Sequence, residues 1–387
     1  MIYLDHHATT PCDPLVIDAM LPYFSITYAN PSSNHEFGNT AADAINKAQE
    51  QLARLINAVP EEIVFTSGAT ESNNLAILGM SSGYKAKHGD RRKIVTNLTE
   101  HKAILNPVKH LKDQGWEIVY LPIDFSGLID LEQAKQIINT DVFLVSVQLA
   151  NSEIGTIQPI SEIAILAQNC GAIFHCDAAQ AIGKTEVNVE KLGIDLLSLS
   201  AHKIYGPKGI GALWIRKGIE KIINPIMFGG GELSSIRPGT LPVPLIVGFG
   251  KACEIAQLNF VKENTTLYAI RNYFERILIN KIPDLKINGA VKSRLNNNSN
   301  ITFPNVDSEA LLSNLPDIVA STGSACESGS IEPSRVLIAI GLSNKQAFQT
   351  VRFGFGRFNT EAEIADAAQN IANVYHELLI VNKDTPP

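Results

Sequence analysis

The sequence contains no uninterrupted apolar run near the ~18 residues that crossing a bilayer requires, so no membrane span is expected. Its start, Met1-Ile2-Tyr3-Leu4-Asp5-His6-His7, lacks the basic and then apolar plan of a secretion signal, and a cytoplasmic protein is the simplest expectation. Cysteine is scarce and odd in number: Cys12, Cys170, Cys176, Cys253 and Cys326 fall at irregular spacings with no Cys-x-x-Cys pair. That argues against a disulfide framework and against a structural zinc site, so no metal is expected and at most one thiol is a working one. A clustered basic face is also missing. The net charge is −7 with both signs interspersed, so nucleic acid is not an expected partner. No Gly-x-Gly-x-x-Gly follows the first strand candidate, which speaks against a nicotinamide-dependent dehydrogenase. There is no internal repeat.

What is present is an ordinary folded composition, 45% hydrophobic and 18% charged, over 387 residues, which is long enough for two domains. Strand candidates are Ile63 to Phe65, Ile94 to Thr96, Val142 to Val147, Ile173 to Cys176, Leu196 to Leu199 and Ala212 to Ile215. Helical spacing joins Ala44, Ala48, Leu52 and Leu55, then Leu75 and Leu78, then Ile163, Leu166, Ala167 and Cys170 behind a Ser161 cap. Strands alternating with helices predict an α/β chain with a largely parallel sheet covered on both faces. Past about residue 250 the pattern changes. A long helix is expected from Leu258 to Ile282, then an asparagine-rich loop at 296–300, short strands, and a last helix capped by Thr360 and Glu363 with a stripe of Ile364, Ala368, Ile371, Tyr375 and Leu378. The expected division is an N-terminal segment 1–15 packing with the small domain, a large domain 16–255 and a smaller α+β domain 256–387.

Six stretches carry chemistry. Ser200-Ala201-His202-Lys203-Ile204-Tyr205-Gly206 follows an apolar run, where ligands bind in α/β sheets. A lysine is ordinarily solvated; beside a glycine-rich turn at a strand end, Lys203 instead suits a lysine that meets a buried carbonyl. Ser67-Gly68-Ala69-Thr70 joins a strand to a helix and suits a phosphate. Asp177 ends a strand and is either a helix cap or a partner for a protonated pyridine nitrogen. His101 follows the strand at Ile94, placed to stack on a ring and move protons. Cys326 lies in the small, polar segment 321–334, expected to be an exposed, mobile loop; its flanks offer no apolar burial, which suits a nucleophile that delivers cargo. Arg352, in an apolar stretch, is either an ion-pair partner or a fork for a substrate carboxylate.

Together these stretches resemble the cysteine desulfurases of the NifS/IscS type, among the class V aminotransferase, fold-type-I pyridoxal-phosphate (PLP) enzymes. The resemblance runs in order through Tyr3-Leu4-Asp5, Ala8 to Pro11, Asn30 to His35, Phe65 to Asn74, Glu153-Ile154-Gly155, Asp177 with Gln180, Ser200 to Gly209, Arg237 with Gly239-Thr240, and Gly323 to Cys326. It implies a mostly parallel seven-stranded sheet in the large domain and a homodimer. Lys203 would carry PLP, His101 would stack on it, and Asp177 and Gln180 would meet its nitrogen and phenolic oxygen. Ala69, Thr70, Ser200 and His202 would hold its phosphate, with Thr240 reaching over from a second subunit. Arg352 would hold the carboxylate of L-cysteine. Lys203 would move the Cα proton, and Cys326 would take the sulfur and pass it to sulfur-acceptor or iron–sulfur scaffold proteins.

The chain departs from the family pattern in places. Asn151-Ser152 stands where relatives carry two asparagines, so Asn151 is expected at the substrate and Ser152, shorter, near the cofactor. Glu232 to Ser235 and Pro238 alter the approach to Thr240, and the tail after the last helix is expected to be short. A PLP-dependent cystine or selenocysteine C–S lyase is the alternative reaction on this fold, and Cys326 argues against it. A sulfur carrier without catalysis is opposed by Lys203, Asp177 and His101.

Overall fold

The computed structural model describes residues 1–87, 91–230, 235–322 and 332–384. Its centre is a seven-stranded sheet in the spatial order Ile63–Thr66, Gly211–Ile215, Leu196–Ser200, Ile173–Asp177, Val142–Gln148, Lys93–Asn97 and Glu117–Leu121. Gly211–Ile215 runs antiparallel to both neighbours and every other pairing is parallel. The expected α/β fold class and mostly parallel sheet are what the structure has. Val142–Gln148 is buried throughout, as a central strand covered on both faces must be.

The parallel strands end together. Register pairs Gln148 with Asp177 and Asp177 with Ser198, so the residues just past Asn97, Gln148, Asp177 and Ser200 crowd one edge of the sheet. That edge is where an open α/β sheet opens a crevice.

Glu117–Leu121 was not expected from the sequence. It is the outermost strand, with Glu117 and Tyr120 exposed, so its apolar signal is diluted. The helix Ile160–Cys170 begins behind Pro159, whose ring fixes φ, and Ser161 lies inside the first turn rather than at the cap. The long helix begins at Val243 and ends at Lys281, earlier at its start than the sequence suggested. Pro242, Gly248 and Gly250 disguise that start. The glycines serve close packing: a Cβ on Gly248 would lie 2.5 Å from Met20 Sδ, and one on Gly250 2.6 Å from Ala48 Cα in the helix Glu36–Ile56.

A second apolar core gathers Leu267, Phe274 and Leu278 from the end of the long helix, Phe353 and Phe355, and Ile364, Ala368 and Ile371 of the last helix, Glu361–Asp384. Thr360 and Glu363 cap that helix as expected: the Glu363 N–H donates to Thr360 Oγ1 (3.3 Å) and the Thr360 N–H to Glu363 Oε2 (2.9 Å). Its sheet is antiparallel, Thr350–Gly354 beside Asn298–Thr302 beside Lys286–Asn288. The asparagine-rich stretch is therefore not all loop: Asn298 and Asn300 are fully buried within a strand, their amides donating to the Glu153 carbonyl. The N-terminus joins this half too, with Ile2–Tyr3 pairing parallel to Ile318–Val319 and Ile2 and Leu4 packing in the same core. No helix among the described residues is long and apolar enough to cross a membrane.

Phe274 is fully buried, with the rings of Phe353 and Phe355 at 4.9 and 5.2 Å. Phe274→Ala should lower unfolding free energy by about 3–5 kcal/mol through the cavity it leaves, read by chemical denaturation.

Candidate active site

A cavity of about 460 Å³ opens at the carboxyl edge of the large sheet. Lys203 reaches it from the turn Ala201–Lys203 that follows Leu196–Ser200. Its Nζ donates to the carbonyls of His7 and Ala8, the latter at 2.8 Å, so the N-terminal segment holds the amine at the cavity wall. His202 Nδ1 lies 3.0 Å from Thr9 Oγ1. Burial, then the positive charges of Lys203, Lys208 and Lys184, lower its pKa to about 4, so it is neutral near pH 7.

Asp177 lines the same cavity. Its Oδ2 accepts from Asn73 Nδ2 at 2.7 Å and its Oδ1 from the Ala179 N–H at 2.9 Å. The carboxylate thus makes the local turn that a bland reading predicts and still lines the cavity. His101 stands at the N-cap of the helix Lys102–Asp113, where its Nδ1 accepts from the Ala103 N–H at 3.1 Å. That leaves the proton of the neutral ring on Nε2. Burial lowers the pKa of His101, Asp177 opposes the shift, and Lys203 and Arg335 reinforce it.

The strand–helix junction supplies the third wall with Ser67, Gly68, Ala69 and Thr70. First-turn N–H groups of Ala69 and Thr70 have no carbonyl behind them within the helix. Gly211 on the neighbouring strand lets this junction approach: a Cβ there would lie 2.6 Å from Gly68 Cα. Glu71 clamps the junction, accepting from the Ser67 N–H (2.6 Å) and from Arg237 Nε (2.9 Å). Burial would raise its pKa, but these hydrogen bonds outweigh it and hold the carboxyl below its usual value.

Ala69, Thr70, His101, Ser152, Asp177, Gln180, Ser200, His202 and Lys203 all line this one cavity. Asn151 does not. Its Oδ1 accepts from the Glu153 and Ile154 N–H groups and its Nδ2 donates to the Thr99 carbonyl, so the side chain is committed to shaping the turn that presents Ser152. Arg352 stands one layer behind the wall, donating to the Ser152 carbonyl at 3.3 Å and paired with Asp5 at 2.8 Å. Its Nε is buried without a partner among the described residues. Thr240 is exposed and away from the cavity. Cys326 lies outside the described residues, as do the rest of 323–331 and Glu232 to Ser234.

Sequence reasoning passed over three polar groups here. Asn73 holds Asp177, His7 hydrogen-bonds Gln180, and Lys184 donates to Gln180 Oε1 at 3.3 Å. None belongs to a periodic pattern; only their nearness in sequence to Gly68, Asp5 and Asp177 hints at them. Cys176 and Cys253 are not competitors: both are buried, and burial pushes both thiols up.

The donor set fits PLP. A carboxylate and a lysine line one cavity with a helix start for a phosphate and a neutral imidazole for a ring face. A family model described as aminotransferase class V matches residues 2–366. The chain is 46% identical over 94% of its length to the probable mitochondrial cysteine desulfurase of Dictyostelium discoideum, covering 80% of that protein. It is 44% identical to the cysteine desulfurase IscS of Rickettsia felis, over 97% of this chain and 92% of that one. Among solved structures, a NifS-like protein is similar at TM-score 0.90 and 33% identity, over 97% of this chain and 100% of that one. SspA in complex with cysteine is similar at TM-score 0.82 and 37% identity, over 93% and 100%. The chain belongs to the class V aminotransferase family and, within it, to the cysteine desulfurases of the NifS/IscS type.

Proposed function

We propose that this protein uses PLP to convert L-cysteine to L-alanine, with the sulfur leaving as a persulfide on Cys326. The observation that carries this reading is the convergence of Lys203, Asp177 and His101, each at or just past the carboxyl end of a different parallel strand, on one cavity. When bound, PLP supplies an electron sink conjugated to the substrate Cα.

The residues divide the remaining work. Lys203 carries the cofactor and moves the proton at the substrate Cα. Asp177, held rigid by Asn73 and the Ala179 N–H, keeps a negative charge against the ring nitrogen. His101 covers the ring face and has only Nε2 to give or take a proton, because Nδ1 is engaged by its own helix. Gln180 meets the phenolic oxygen. Ala69, Thr70, Ser200 and His202 hold the phosphate, and Thr240 serves the pocket of a second copy of the chain. Arg352, fixed by Asp5 and by the Ser152 carbonyl, sets its positive charge behind Ser152 for the substrate carboxylate. Cys326, as thiolate, attacks the substrate sulfur. The Cβ–S bond breaks, an S–S bond forms, and the electron pair left on carbon takes up a proton as alanine leaves. Acceptor proteins, iron–sulfur scaffolds among them, then draw the sulfur from Cys326.

Alanine release from L-cysteine in the presence of a reductant should be clear in the wild type and fall to background in Cys326→Ser. Full activity in that variant, with pyruvate in place of alanine, would instead establish a C–S lyase. Ser152→Asn extends an amide toward the substrate carboxylate and should lower KM for cysteine about threefold, the effect of one modest hydrogen bond. Steady-state kinetics decides this, and an unchanged or raised KM counts against it.

A further inference from the structure

Directed hydrogen bonds run from the small-domain sheet to the active lysine. Asn298 Nδ2 donates to the Glu153 carbonyl at 3.0 Å and lies 3.1 Å from His7 Nε2. A carbonyl only accepts, so the amide face is set and His7 Nε2 is the acceptor. Burial, then the charges of Lys184 and Arg352, hold the pKa of His7 well below its ordinary value, so the ring is neutral with its proton on Nδ1. That nitrogen sits 3.2 Å from Gln180 Oε1. Lys184 Nζ donates to the same oxygen at 3.3 Å, and a lysine ammonium can only donate. The Gln180 NH2 is thereby turned the other way, onto the His7 carbonyl at 2.9 Å, which also accepts from Lys203.

We infer that Lys184 and His7 are positioning residues that fix which face of the Gln180 amide meets the cofactor pocket. The inference rests on the reading that Lys203 carries PLP there. Without Lys184 the Gln180 oxygen keeps a single donor, His7 Nδ1, and the amide is held less firmly in this orientation. Lys184 also acts through its charge. Part of the residue reaches solvent, but its ammonium shares a narrow cavity with His6, Lys203, Tyr205, Glu263 and Arg357. Burial lowers its pKa to about 7, Lys203 and Arg352 push the same way, and Glu263 opposes them. It in turn depresses the pKa of His6, His7 and His202.

The test is a pH titration of the visible absorption of the PLP-loaded enzyme, with a melting temperature for each variant. In Lys184→Met the lost charge and the loosened amide both favour protonation at the lysine–cofactor linkage. The midpoint should rise by about half a pH unit, roughly threefold in proton affinity. Lys184→Arg keeps the donors and carries a charge that also persists above pH 7, and should bring the midpoint back to the wild-type value or below it. Asn298→Ala removes the far end of the run without touching the charge and should raise the midpoint by a smaller amount, which keeps the question answerable if Lys184→Met does not fold. A normal absorption band whose midpoint stays put in whichever of these two folds overturns the inference. A wild type that shows no visible band with PLP overturns the cofactor reading instead.

Discussion

Arg352 and Asp5 pair at 2.8 Å with both side chains largely withdrawn from water. Arg357 repeats the arrangement with Asp13 at 2.7 Å and Glu263 at 2.8 Å, its guanidinium 4.1 Å from the Tyr205 ring centre. The Asp5 and Asp13 pairs tie the N-terminal segment to the strand Thr350–Gly354 and the loop after it, the Tyr205 ring ties that loop to the turn after Leu196–Ser200, and Glu263 ties it to the long helix. Buried ion pairs gain little over apolar packing, but losing one partner strands the other charge and costs about 3–5 kcal/mol. The site therefore depends on both halves. Lys203 follows a strand of the seven-stranded sheet, the carbonyls that hold it come from His7 and Ala8, and Ile2 and Leu4 of the same segment pack in the second core. The segment is held by Ile2 and Leu4 in that core, by the ion pairs of Asp5 and Asp13 and by one short strand pairing.

This arrangement sets the electrostatics of the cavity. Lys203, Lys184, Lys208 and Arg352 surround it, while burial keeps His6, His7 and His202 neutral. Asp177 is the carboxylate on the cavity wall. Glu100, behind it, is fully buried, and burial holds its carboxyl well above the ordinary pKa, with the charge of Asp177 pushing the same way and the Gln148 and Asn97 hydrogen bonds opposing. Such a balance favours a dianionic phosphate at one end and a single negative charge at the ring nitrogen.

The parallel strands could be read from the sequence because they are continuous apolar runs, and the candidates at their ends came with them: Lys203, Asp177, His101 and the Gly68 junction. Glu117–Leu121 escaped because an edge strand shows one face to water. Asn298–Thr302 escaped because buried asparagines are rare without partners, and its partners, Glu153 and His7, lie far away in the chain. Asn151 misled for a related reason. Its place in the motif was visible, but that its amide would be spent on Thr99 and the turn depends on where a distant strand end falls. Polar groups that act through other polar groups, such as Asn73, His7 and Lys184, leave no periodic trace.

Two histidines show what separates structure from chemistry here. His175 lies in a central strand with Nδ1 2.9 Å from Ser146 Oγ and Nε2 2.9 Å from Ser198 Oγ. Both nitrogens are committed, and burial lowers its pKa to about 3, so it bridges three strands and moves no protons. His101 is also buried and also lowered, yet only Nδ1 is taken, by the first turn of its own helix. The helix cap fixes the tautomer and aims the ring, and the remaining nitrogen belongs to the cavity. A sequence shows two histidines beside apolar strands; the chemistry lies in the nitrogen that the fold leaves uncommitted.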